Sequence, residues 1–218
     1  MQNRTKVQLI AMLVAFLTSG AHSATNIVNN GSFEEPDISF SPYLFYLPVY
    51  AGESTITSWT VEASSSALGV DVLSTRTGIS QLAYQGSQSI DMAGSPGRAS
   101  IYQDLVTVAG QLYRLDFSAS TNNGPSLNSL SISWNGSTFE TLSPPPLGTW
   151  SSYSYDLLAT STVTRLNFIG NIDGNNGAMI DAVSVSAVPE PAANSLLLLG
   201  ALVLYGAIHR SGRSRIDA

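Results

Sequence analysis

Tyr113-Arg-Leu-Asp-Phe-Ser-Ala119 decides how this chain is to be read. Tyr113, Leu115, Phe117 and Ala119 share one parity; Arg114, Asp116 and Ser118 hold the other. Period two is the pattern of a strand with one dry face and one wet face, whereas a helix gathers its apolar residues three or four apart. The pattern repeats outward from this stretch. Leu130, Ile132 and Trp134 alternate with Ser131 and Ser133, and Trp150, Ser152 and Ser154 oppose Tyr153, Tyr155 and Leu157. Turn signals separate these runs: Asn30-Gly31, Ala93-Gly-Ser-Pro-Gly97, Asn122-Asn-Gly-Pro125, Asn135-Gly136, Pro144-Pro-Pro146 and Asp173-Gly-Asn-Asn-Gly177. No long amphipathic helix pattern occurs between residues 24 and 187. Many short strands punctuated this way predict an all-β fold, a two-sheet antiparallel jelly-roll sandwich. One stretch breaks the alternation. Ser41-Pro-Tyr-Leu-Phe-Tyr-Leu-Pro-Val-Tyr50 combines four aromatics with two prolines. Proline disfavours a central strand, so an aromatic loop is expected here, followed by a strand near Ile56 to Val61.

Two other segments flank this domain. Residues 1–23 have the three parts of a secretory signal: Arg4 and Lys6, the apolar run Val7 to Leu17, and small residues at Ala21-His-Ser23. The segment predicts a signal helix cleaved after Ser23. At the other end, Val188-Pro-Glu-Pro191 precedes Ala192 to Ile208, where only Asn194, Ser195 and Tyr205 carry polar side chains. Arg210, Arg213 and Arg215 follow. A run of this length reaches the short end of the ~17–25 residues that cross a bilayer. Arginines on one flank orient such a helix with that flank in the cytoplasm. Residues 188–218 are therefore expected to include a transmembrane helix, with the domain of residues 24–187 on the outer side of the membrane.

Composition excludes several functions. Residues 24–187 hold thirteen Asp or Glu against four arginines (76, 98, 114 and 165), a balance of −9. Nucleic-acid binding needs a basic patch that four scattered arginines cannot form. The chain has no cysteine, and its two histidines, His22 and His209, together with Lys6, all lie in the flanking segments. Disulfides, Ser-His-Asp or Cys-His triads, lysine Schiff bases and ordinary zinc sites are thereby ruled out for the domain. Carboxylate-only chemistry, as in glycoside hydrolysis, survives that cut.

Two resemblances add to this reading. Pro189-Glu190-Pro191, the apolar run and the basic end together resemble the PEP-CTERM sorting signal of Gram-negative bacteria. That resemblance implies a processing tag recognised by an exosortase-type membrane enzyme. The domain carries Asn26-Ile-Val-Asn-Asn-Gly-Ser-Phe-Glu34, Ile56-Thr-Ser-Trp-Thr-Val61, Gly86-Ser-Gln-Ser-Ile-Asp-Met92, Ile101-Tyr-Gln103, Ala109-Gly-Gln-Leu-Tyr-Arg-Leu-Asp-Phe117 and Ile180-Asp-Ala-Val-Ser-Val185. In this order they resemble the choice-of-anchor C group of the galactose-binding-like jelly rolls, related to plant cell-wall proteins of that fold. A β-sandwich that often binds carbohydrate is what the likeness implies.

Candidate sites follow from both lines of reasoning. Similar jelly rolls hold a structural calcium between an early Phe-Glu and a late Ile-Asp, which here are Phe33-Glu34 and Ile180-Asp181; the next position, acidic or amide in that pattern, is Ala182. Asp181 shares the parity of Val183 and Val185, so an inward carboxylate is expected, needing calcium, backbone amides or Arg165 as partner. Sugars stack on aromatic rings, and Tyr43, Tyr46, Tyr50, Trp150 and Tyr153 are the candidate ligand-binding residues. Trp59 and Trp134 sit in strand patterns and read as core. Glu34, Glu35 and Asp37 read as solvated or metal-linked, while Asp173-Gly174-Asn175, Asn30-Gly-Ser32 and Asn135-Gly-Ser137 read as turns. The functional expectation is an exported, non-catalytic carbohydrate-binding protein of the cell surface or matrix, acting on exopolysaccharide. The alternatives are a structural surface protein that binds other proteins, and a carboxylate-dependent glycosidase.

Overall fold

The computed structural model describes residues 25–39, 45–65, 67–77, 82–94, 97–122, 128–189 and 200. The expected signal helix, and all of the expected C-terminal helix and basic tail except Gly200, lie outside the described residues. Residues Thr25–Val188 form one compact unit.

Eleven described strands make two antiparallel sheets. The six-stranded sheet runs β1 (Tyr46–Tyr50), β3 (Gly69–Ser74), β4 (Gln88–Asp91), β11 (Ala178–Ala187), β6 (Leu112–Thr121), β9 (Ser151–Leu158). The five-stranded sheet runs β2 (Thr60–Glu62), β5 (Ser100–Val106), β10 (Val163–Gly170), β7 (Leu130–Trp134), β8 (Ser137–Leu142). The predicted alternation is realised on β6, whose Tyr113, Leu115, Phe117 and Ala119 are buried in the shared core. Phe33, Trp59, Phe168 and Phe117 form a line of ring contacts across that core, at 5.3, 6.4 and 5.1 Å between successive centroids. Trp59 and Trp134 are both buried, as their strand patterns predict.

Two elements depart from the sequence reading. Tyr46–Tyr50 is a strand despite Pro48, because β1 lies at the edge of its sheet and pairs only with β3, Pro48 facing Asp71. An edge strand can spare the missing amide. The next strand covers Thr60–Glu62 rather than starting near Ile56. Ile56 and Trp59 are buried in the turn before it.

A third departure concerns Asp181. Between Asp181 and Ser184 the pairing of β11 with β6 shifts register, and Ala182 adopts φ 52°. The extra residue reverses the parity, so Ile180 and Val183 both enter the core while Asp181 shares the outer face with Met179. The expectation that Asp181 points inward with Val183 and Val185 is thus overturned.

Polar side chains fasten the N-terminal segment to this frame. The Asn26 side chain accepts the amides of Val28 and Val185, and Gln103 exchanges hydrogen bonds with the backbone of Asn29. Gln88 donates to the carbonyls of Phe33 and Pro36 and accepts the amide of Ile38. Trp59 Nε1 donates to the carbonyl of Asn30. The buried Gln88, Gln103 and Trp59 side chains are lost to water and regain partners, the condition for burying polar atoms.

Candidate functional site

Along β9 the outer face of the six-stranded sheet is open, at Ser152, Ser154, Asp156 and Leu158, but it is covered over β3, β4 and the adjoining parts of β11 and β6. Asp71, Ser89, Asp91, Ser118, Ser120 and Asp181 are all buried there. Glu34 and Asp181, the expected calcium pair, meet on one loop. Glu34 Oε1 accepts the amides of Ser87 and Gln88 at 2.8 Å each, and Asp181 Oδ2 accepts those of Tyr84 and Gln85 at 2.8 Å. Asp181 Oδ1 accepts the amide of Ala182. Burial pushes the Asp181 carboxyl up to about 7, against the pull of those amides, and the nearby charge of Glu34 adds to the rise. Among the described residues no set of three or more His, Cys, Asp or Glu could hold a metal. The donor set fits a clamp on residues 84–88. A calcium ion would have only Glu34 Oε2 and the second lone pair of Asp181 Oδ1 as carboxylate sites, its other ligands coming from carbonyls and water. Arg165 is no partner of Asp181, since it pairs with Asp104 on the other sheet.

The clamped loop carries an aromatic that the sequence reading passed over. Tyr84 is 51% exposed, its ring 6.0 Å from Trp150 and its hydroxyl 3.4 Å from Ser152 Oγ. Trp150 and Tyr46 both pack on the small cluster of Leu73, Leu82 and Met179, so the structure brings these two expected residues to one face. It separates the others. Tyr153 lies on the opposite side of β9, partly buried and stacked on Phe117 at 5.3 Å. Tyr50 sits at the end of β1 opposite Gly69. Tyr43 lies outside the described residues.

The outer face of the five-stranded sheet is open, and its residues were not anticipated. A groove of about 850 Å³ runs along β2, β5 and β10, lined among others by Thr60, Glu62, Arg98, Ser100, Tyr102 and Asn171. The Arg165 guanidinium lies 3.6 Å from the centre of the Tyr102 ring. It donates to both oxygens of Asp104, at 2.8 and 2.9 Å, and stands 3.6 Å from Glu62. That pairing holds the Asp104 carboxyl below its ordinary value, with burial opposing. Asn167 is opposite Tyr102 on one side and Ser133 on the other. Its Oδ1 is buried and accepts no hydrogen bond. An acceptor buried without a partner costs about 1–3 kcal/mol. The signal was legible in principle: Ser100, Tyr102 and Asp104 alternate with the buried Ile101, Gln103 and Leu105, which puts a large ring on the wet parity.

Two antiparallel sheets packed face to face define the domain as a β-sandwich. The chain belongs to the family described as "Protein of unknown function (DUF642)", whose profile matches residues 26–186. Among solved structures it is similar to TmCBM61 in complex with beta-1,4-galactotriose, at 16% identity over 76% of this chain and 100% of that one, with a TM-score of 0.52. It is also similar to the CBM22-1 xylan-binding domain from Paenibacillus barcinonensis Xyn10C, at 16% identity, 66% and 94% coverage, and a TM-score of 0.44. The first of these likenesses establishes the fold. Among curated proteins it is 32% identical over 199 residues to Halomucin of Haloquadratum walsbyi, a match that takes in 85% of this chain and 2% of that protein.

Proposed function

We propose that the domain is a non-catalytic carbohydrate-binding module whose binding surface is the open face of the five-stranded sheet. The observation that carries this is Tyr102 on a groove lined also by Thr60, Glu62, Arg98, Ser100 and Asn171, with Arg165 and Asp104 beside the ring. Sugar hydroxyls donate and accept at once, so they match a surface on which Arg165 stands beside Asp104 and Glu62. Tyr102 supplies the ring face that the Arg165 guanidinium does not cover, and Glu62, Arg98 and Ser100 line the groove beside it for the hydroxyls. Structural likeness to carbohydrate-binding modules supports the reading at the level of fold. Retention of the 24–187 domain on a polysaccharide array, lost in Tyr102→Ala, tests it; no retention on any glycan of the array would sink it.

The cellular setting is part of the same proposal. Residues 1–23 export the chain. The segment from Val188 holds the precursor in the inner membrane until an exosortase-type enzyme acts near Pro189-Glu190-Pro191 and releases the domain to the surface or matrix of a Gram-negative cell. An epitope placed after Ala218 is absent from the mature surface form on this account; its retention there would mean a permanent anchor. A structural calcium between Glu34 and Asp181 is proposed as well, on the strength of two carboxylates crowded onto one loop. EDTA then lowers the melting temperature and added calcium restores it; an unmoved transition removes the ion and leaves the amide clamp sufficient by itself.

A further inference from the structure

We infer that the end of the sandwich formed by residues 106–112 and 158–163 is a lipid-facing surface, resting on the bilayer that receives the tail. Val106 and Val163 are cross-strand partners at the end of the five-stranded sheet. Leu112 and Leu158 are partners at the corresponding end of the six-stranded sheet. Val108 lies in the connection between them. All five side chains are exposed, Val106 by 80% and Val108 by 64%. The two stretches 105–113 and 157–164 contain no Asp, Glu, Lys or Arg, although the domain carries thirteen acids and four arginines. Single exposed apolar residues are ordinary; five ringing one uncharged end, on both outer faces and on the connection between them, mark an end that meets something apolar.

The path of the chain names the partner. Val188 leaves the domain at this end, its amide donating to the carbonyl of Leu112 and its carbonyl accepting from Gln111 Nε2. Only Pro189-Glu190-Pro191 separates it from the apolar run that starts at Ala192. Three extended residues reach about 10 Å. A run inserted from Ala192 therefore holds this end of the domain against the headgroups, where valine and leucine side chains enter the headgroup–acyl boundary and the absence of charge avoids a desolvation cost. The inference rests on the tail crossing a membrane, as proposed above.

The test uses the full chain, which has no native cysteine to compete. Val108→Cys, and Asn175→Cys in the 171–177 connection at the opposite end, each carry an environment-sensitive fluorophore. Both are reconstituted into phosphatidylcholine vesicles with and without a quencher on the upper acyl chain. Flotation reads the tail separately from the patch. The expected result is flotation of both proteins, with quenching at residue 108 at least threefold that at residue 175. Leu158→Cys repeats the measurement from the other sheet. Flotation with equal quenching at the two ends overturns the inference and leaves the tail reading intact. Self-quenching at residue 108 without lipid quenching overturns it in favour of a second copy of the chain. Failure to float overturns both.

Discussion

Asp91 accepts the amides of Ala93 and Gly177 on one oxygen and the Asn122 side chain on the other, so a single buried carboxyl ties three connections together. Burial pushes it up to about 7, with those hydrogen bonds opposing and Asp71, its partner on β3, adding to the rise. Asp181 is raised to about 7 in the same way. Both have an ordinary value of 3.8, so the folded domain binds more protons than the unfolded chain between about pH 4 and 7. Stability from these two groups is full below that window, falls as the pH rises through it and is level above. Asp104 and Asp156, held low by Arg165 and Arg114, act oppositely, and their contribution goes as the pH falls through their lowered values. Calorimetry across pH should find the melting temperature highest near pH 4–5 and roughly 10 °C lower at pH 8, with Asp91→Asn flattening the slope. Gly31 provides a second test at this scale. A Cβ there would overlap the carbonyl of Val183, a backbone atom that cannot turn aside. Gly31→Ala should cost about 2–3 kcal/mol in urea unfolding.

At the scale of elements, the alternating strands were legible because each has one parity in the core, as on β6, β7 and β9. Two features were not. Pro48 disguised β1, since a sequence does not reveal whether a strand will lie at an edge, where the missing amide is harmless. The bulge at Ala182 hid the true side of Asp181, because one inserted residue reverses every parity argument beyond it. Ala182 at φ 52° also explains why the resembling pattern prefers an acid or amide at this position: Asp and Asn tolerate the left-handed region better than Ala, with no metal required. Ala182→Gly should therefore raise stability by about 0.5–1 kcal/mol, and Ala182→Asn should be neutral or better, in the same urea assay. The proposed site was not legible, since none of the named aromatics lines the groove of the five-stranded sheet. Trp150 and Tyr46 share a cluster on the other sheet, where Tyr84 is delivered beside Trp150 by a loop clamped from strands far away in sequence. Tyr102 was overlooked because its polar neighbours Asp104 and Arg165 come together only through the pairing of β5 with β10.

For the whole molecule, the polar residues that recur in the family-like stretches turn out to be fasteners: Asn26, Asn30, Glu34, Gln88, Asp91, Gln103 and Asp181 all hold backbone in place. They account for how a chain without disulfides keeps long connections ordered. On the proposed reading, binding falls to the outer face of the five-stranded sheet, which these fasteners leave uncovered. A sugar ring stacked on Tyr102 beside the Arg165 pairs should contribute at least about 1.4 kcal/mol through the ring, a factor of ten in affinity. The most direct measurement is the affinity of the 24–187 domain for the polysaccharide it retains, compared among wild type, Tyr102→Ala and Trp150→Ala. The account predicts a loss of about tenfold or more in Tyr102→Ala and little change in Trp150→Ala. Affinity unchanged in Tyr102→Ala but lost in Trp150→Ala would contradict it and move the site to the Tyr84–Trp150 face of the other sheet.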